Sequence, residues 1–195
     1  HIPSHSFPTR RSSDLEKSRL YDRIAQEIAP QLDKAEALLQ RSRKEPEQAK
    51  ALLSQVCVIS AYIKRRANLI LLGEEKTEIS TRELELCLRE SLDNLRLCGV
   101  ITYLDCHCEG QAAVKQVIAM YDLFEEVTEK LLGQLSAMMV TAEYAENTLR
   151  LRIQAGCKDS LLFPSQKYRY PDQSDDAGNQ FLSSLSSVKI HIFSS

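Results

Sequence analysis

The sequence predicts an α+β protein in which a long antiparallel helical hairpin precedes an α/β layer. Three observations predict it. The 195 residues include six Gly, six Pro and no Trp, which favours long helices over a turn-rich all-β fold. Two consecutive stretches near the start carry apolar residues at spacings of three and four. Beyond them, helical and alternating patterns interleave, as they do where helices pack on a sheet.

From Glu16 to about Arg43, apolar residues fall at Leu20, Ile24, Ile28, Leu32, Ala35 and Leu39, one face of a helix. Pro30 lies inside this run and predicts a kink or local break. Glu45-Pro46 marks a turn and a restart. The second stripe is Leu52, Val56, Ile59, Ile63 and Ile70, ending at Gly73. Together, residues 16–75 predict a hairpin. One hairpin does not cover both of its stripes, so dimerisation into a four-helix bundle is expected.

The α/β layer is expected over 79–157. Ser80-Thr81 follows a polar break and is placed to cap a third helix through Leu97, which Gly99 stops. Val100 to Cys108 alternates as a strand, with Ile101, Tyr103 and Asp105 opposite Thr102, Leu104 and Cys106. Gln111 to Leu132 returns to helical spacing through Val114, Val117, Ile118, Tyr121, Phe124 and Leu131. Ala137–Tyr144 and Thr148–Gln154 read as strands joined by a turn at Ala145-Glu146-Asn147. The ends differ from the rest. His1 to Leu15 has no periodicity, and its SFPTRRSSDL resembles a translated sequencing adapter, so 1–15 is set aside as non-native or a disordered tail. Residues 158–195 read as an irregular tail closing on a possible strand, Val188 to Phe193.

Hydrophobic residues make up 43% and charged residues 27%, the balance of a globular protein. A net charge of −2 gives no reason to expect a nucleic-acid surface, which needs a concentrated basic stripe. No apolar run reaches the roughly 18 residues of a membrane helix. Six Cys in a chain of this length fit reduced thiols and a cytoplasmic location better than a disulfide scaffold.

Four clusters invite chemistry. Cys106-His107-Cys108 suggests a metal, but on a strand the thiols share one face while His107 points away, so no metal is assigned. Cys57, Cys87 and Cys98 read as core thiols. Lys64-Arg65-Arg66 reads as a solvated helix face, or otherwise as a contact for an acidic partner. Glu125, Glu126 and Glu129 read as a solvated acidic face. Met138-Met139 reads as core. Neither Walker-type nor dinucleotide glycine spacing occurs.

Three segments, Arg23-Ile24-Ala25-Gln26-Glu27-Ile28, Leu84 to Val100 and Ala119 to Val127, together with the element order, resemble the core of a bacterial sensor histidine kinase. The resemblance implies a partial α/β sandwich of the histidine-kinase ATPase type behind a dimerising hairpin. It also implies ATP with Mg²⁺ as cofactors, a homodimer, a response-regulator or other signalling partner, and a parent protein attached to a membrane through an upstream region. The landmark residues depart from it. The phosphoacceptor His position is Ala29, followed by Pro30, and alanine carries no nucleophile. Tyr121 and the base-like Glu126 fit the ATP-site helix, but its Mg²⁺-binding Asn position is Lys130, and an ammonium cannot ligate Mg²⁺. Ala155 stands where an Asp would read adenine, and no Gly-rich lid follows. ATP binding is therefore expected to be weak or absent. The expectation is a catalytically degenerate histidine-kinase-like protein of a two-component system. Its alternative is a non-catalytic dimerising module that binds a signalling partner.

Overall fold

Apolar residues repeating at helical spacing wind Thr9–Lys44 into α1 and, after a short 3-10 turn at Pro46–Gln48, Ala49–Glu75 into α2. The computed structural model describes the backbone of residues 9–158 and 187–194, and side chains over 14–158. Residues 1–8 of the segment set aside at the start, and 159–186 of the tail, lie outside the described residues. The helix begins at Thr9, upstream of the Glu16 expected.

The break expected at Pro30 does not occur, since α1 continues through it. Pro30 is exposed, and the carbonyl it deprives belongs to Gln26, also exposed. Buried Ile24 upstream and Ala35 and Leu38 downstream keep both halves seated, the latter two packing with Leu52 and Ile59 of α2. The single stripe expected on α1 is in fact two. Ile24, Ala35 and Leu38 are buried, whereas Leu32 and Leu39 are 47% and 39% exposed.

Glu78–Ser80 forms strand β1, Arg82–Leu97 helix α3, Ile101–His107 strand β2 and Gln111–Ala113 strand β3. Thr81 does not cap α3 through its side chain. Its hydroxyl instead donates to the Cys108 carbonyl at 3.0 Å, while Ser80 Oγ accepts from the Arg82 amide at 3.3 Å. At the far end, Gly99 adopts φ +80. Its N–H bonds Arg96 O, and that of Val100 bonds Leu95 O, the paired closure that glycine permits at a helix terminus. Gln111 does not begin a helix as expected. Residues 111–113 pair antiparallel with β1, Ile79 opposite Ala112, and helix α4 covers Val114–Leu131.

Strands β4 (Leu135–Ala145), β5 (Thr148–Cys157) and β6 (Ser187–Ser194) complete a sheet of order β2-β4-β5-β6. β4 and β5 are antiparallel, while β2–β4 and β5–β6 are parallel. Glu146 and Asn147, both at positive φ, make the tight turn between β4 and β5. Alternation buries Val140, Ala142, Leu151 and Ile153 against Leu88, Leu92, Val117 and Phe124 of α3 and α4. Met138 belongs to that core, but Met139, expected there too, is 38% exposed because its neighbour in the pleat takes the inner side. Val58, Tyr62 and Leu69 of α2 join the same core, so the hairpin packs directly on the layer. Among the described residues, no helix is long and apolar enough to cross a membrane.

Candidate functional site

The positions singled out by the kinase resemblance fall in different surroundings. Ala29 is partly buried on α1. Ala155 is fully buried on β5, opposite Met138, so its methyl group fills core space. Glu126 and Lys130 are exposed on α4 and paired with each other, Nζ to Oε1 2.5 Å. The structure thus brings Glu126 and Lys130 together one turn apart and leaves Ala155 in the sheet.

Polar side chains converge elsewhere, at the junction of α1, α2 and α4. The helical period turns Tyr62 and Arg66 of α2 toward α4, on the side of the buried Leu69. Arg66 divides its guanidinium between two carboxylates, Nε to Asp122 Oδ1 at 2.8 Å and Nη2 to Glu27 Oε2 at 2.9 Å. The Tyr62 hydroxyl donates to the same Asp122 oxygen at 2.9 Å. From α1, Lys34 Nζ reaches Glu129 Oε2 at 2.8 Å, and Arg23 pairs with Glu74 near the foot of the hairpin. Lys64 and Arg65 both pair with Glu90 of α3. Of the basic cluster read from sequence as a solvated face or a partner contact, Lys64 is exposed, while Arg65 and Arg66 are partly buried because α1, α3 and α4 present carboxylates to them.

The acidic face is also corrected. Glu126 is exposed as expected, but Glu125 is only 2% exposed, because it shares the inward side of α4 with Tyr121 and Thr128. Neither Glu125 oxygen has a hydrogen-bond partner, and Glu129 Oε1 and Arg66 Nη1 are likewise buried and unpartnered. Burial first, and then the neighbouring Glu129, raise the Glu125 carboxyl well above its usual range, with Lys34 opposing. Burial also raises Asp122, against the pull of Arg66 and Tyr62. Beside them, the Tyr121 hydroxyl shares a 2.8 Å hydrogen bond with Ser91 Oγ in the core. Burial lifts the Tyr121 hydroxyl above the ordinary phenol range. Sequence reasoning missed Lys34, Tyr62 and Asp122. The available signal was a set of ionisable groups at helical spacing from the apolar residues of their own seam, where a solvated face would be purely polar.

At the end of β2, Cys106 is half-buried and Cys108 buried, while exposed His107 pairs on the other side with Asp105, 3.0 Å away. The Cys108 thiol lowers the pKa of Cys106, and burial opposes it. Among the described residues, no group of three or more His, Cys, Asp or Glu is arranged to hold a metal. Of the three thiols expected in the core, Cys87 is buried, Cys98 is partly buried and Cys57 is exposed. Cys57 lies near Cys98 at the end of α3, whose thiol is raised by burial and by that neighbour.

No protein-family model matches the chain, and no curated protein matches it. Among solved structures, it is similar to a bacterial phosphotransferase at 14% identity and a TM-score of 0.40, over 77% of this chain and 69% of that one. A likeness this loose transfers neither chemistry nor partners.

Proposed function

We propose that this chain is a dimerising docking module of the sensor-kinase kind, serving two-component signalling without catalysing phosphoryl transfer. The observation that carries the reading is the second apolar face of the hairpin. Tyr21, Ala25, Leu32 and Leu39 are exposed along α1 at heptad spacing, the pattern of a helix seam awaiting a partner. Leu53 and Cys57 extend exposed apolar surface onto α2. A second copy would meet this face with the same face, as two-fold association requires, and would complete a four-helix bundle.

The non-catalytic half rests on the landmark positions. Ala29 offers no atom to phosphorylate. Lys130 offers Mg²⁺ no oxygen and is occupied with Glu126. Ala155 has no acceptor for an adenine amino group. A response regulator is the class of partner that the resemblance suggests for the completed bundle.

Light scattering on the full chain tests the first half. The expected result is a dimer that Leu32→Asp with Leu39→Asp converts to a monomer with unchanged far-UV circular dichroism. A monomeric unsubstituted chain would overturn the bundle. Calorimetric titration of ATP, with and without Mg²⁺, tests the second half. The expected result is no magnesium-dependent binding, and tight binding that needs Mg²⁺ would restore the kinase reading.

A further inference from the structure

Glu125 occupies the point where α4 meets both arms of the hairpin. Its side chain is almost completely buried, and both carboxyl oxygens lack a partner. The ionisable groups that face it come from every helix packed there. They are Tyr121, Asp122 and Glu129 on its own helix, Lys34 on α1, and Tyr62 on α2. Both nearby cations are already engaged, Lys34 by Glu129 and Arg66 by Asp122 and Glu27. Glu129, Asp122 and Glu27 already occupy Lys34 and Arg66, and the third cation, Arg23 at 3.9 Å from Glu27, is shared with Glu74. A fourth carboxylate, stripped of water and without a single hydrogen bond, is strongly disfavoured. A neutral carboxyl is tolerated there.

From this geometry we propose that α4 is held on the hairpin by a proton on Glu125. With the carboxyl neutral, the junction is closed. Loss of the proton drives the carboxylate toward water and parts α4 from Lys34, loosening the α1 arm while α2 stays in the core it shares with the layer. The device couples the two halves of the molecule through the arm, α1, that carries the exposed apolar face.

The sign follows from burial and Glu129, which hold the closed-form carboxyl well above 4.5. An open form exposes Glu125 and returns it toward that ordinary value. Above it, the closed form binds one proton more than the open form. The closed-to-open ratio then falls about tenfold per pH unit until the closed-form value is passed. Asp122 is shifted in the same direction, so the contribution of Glu125 must be isolated by substitution.

The test is amide hydrogen exchange of the full chain between about pH 5.5 and about pH 8, expressed as protection factors to remove the intrinsic pH dependence. In the unsubstituted chain, protection of α4 and of the facing part of α1 should fall as pH rises. Glu125→Gln keeps the shape and cannot ionise, so its protection should stay high and nearly flat. Equal slopes in the two proteins would overturn the proposal. Should the glutamine variant fail to fold, Glu125→Leu serves the same comparison. Independently, ¹³C-carboxyl NMR of the unsubstituted chain should show Glu125 titrating well above the ordinary glutamate range. Titration at an ordinary glutamate value would overturn the latch whatever the variants do.

Discussion

Arg66 projects from α2 with its fork shared between Asp122 on α4 and Glu27 on α1, so one side chain ties three helices. A planar guanidinium with separate donors can do this, whereas a lysine ammonium is a single point charge on a different stem. Arg66→Met should cost about 1–3 kcal/mol, because Asp122 is left partly buried with only the Tyr62 hydroxyl. Arg66→Lys should fall between the two. Urea denaturation at neutral pH measures both, and an unchanged midpoint for the methionine variant would show that the pairs are mere surface contacts. The same variant should raise the Asp122 carboxyl further by NMR titration, since Arg66, ahead of Tyr62, holds it down. None of this was legible in Lys64-Arg65-Arg66. Successive helical residues point about 100° apart, and the sequence does not say which direction lies beneath a neighbouring helix. Glu125 escaped for the related reason that a glutamate beside other glutamates reads as solvated unless its place next to Tyr121 and Phe124 is given more weight.

Among the elements, the long helices and the three internal strands were legible, because each repeats its period often enough to be read. The stop at Gly99 was legible too, since the left-handed φ there favours glycine. The β1–β3 ribbon was not. Three residues on each side carry no period, and their pairing spans the whole of α3 and β2. Thr81 was read as a cap because its local sequence fits one, yet the ribbon claims its hydroxyl for the turn at Cys108 and Gly110. Gly110 is the sensitive point of this arrangement. It adopts φ +150, and a Cβ there would lie 2.5 Å from Tyr144 Cε1, while the Tyr144 hydroxyl donates to Gln111 O beside it. Gly110→Ala should therefore lose about 1–3 kcal/mol through backbone strain and displacement of the ring. Thermal unfolding measures the loss. In a double-mutant cycle, Tyr144→Ala should relieve part of it, and strict additivity would mean that the ring is not what the methyl group meets.

At the scale of the whole molecule, the split of the α1 stripe is what the sequence could not resolve. Both faces of α1 are apolar, and which of them α2 takes depends on how the hairpin sits on the α/β layer. That seating runs through α2, whose Val58, Tyr62 and Leu69 belong to the same core as α3, α4 and the inner face of the sheet. A core shared in this way should make hairpin and layer unfold together rather than in sequence. Leu69, 1% exposed, is the residue to test it with. Leu69→Ala removes a buried side chain on the hairpin, and cavity formation should cost about 2–5 kcal/mol. If the core is continuous, that loss appears equally in a probe on the outer part of α1 and in a second probe attached to an exposed position of the layer. The two unfolding curves should stay superimposed at one fixed protein concentration, since dimerisation shifts every midpoint with concentration. Two separated transitions, with only the hairpin curve moved by Leu69→Ala, would mean that the layer stands without the hairpin, and the junction at Glu125 would then be a contact between independent bodies.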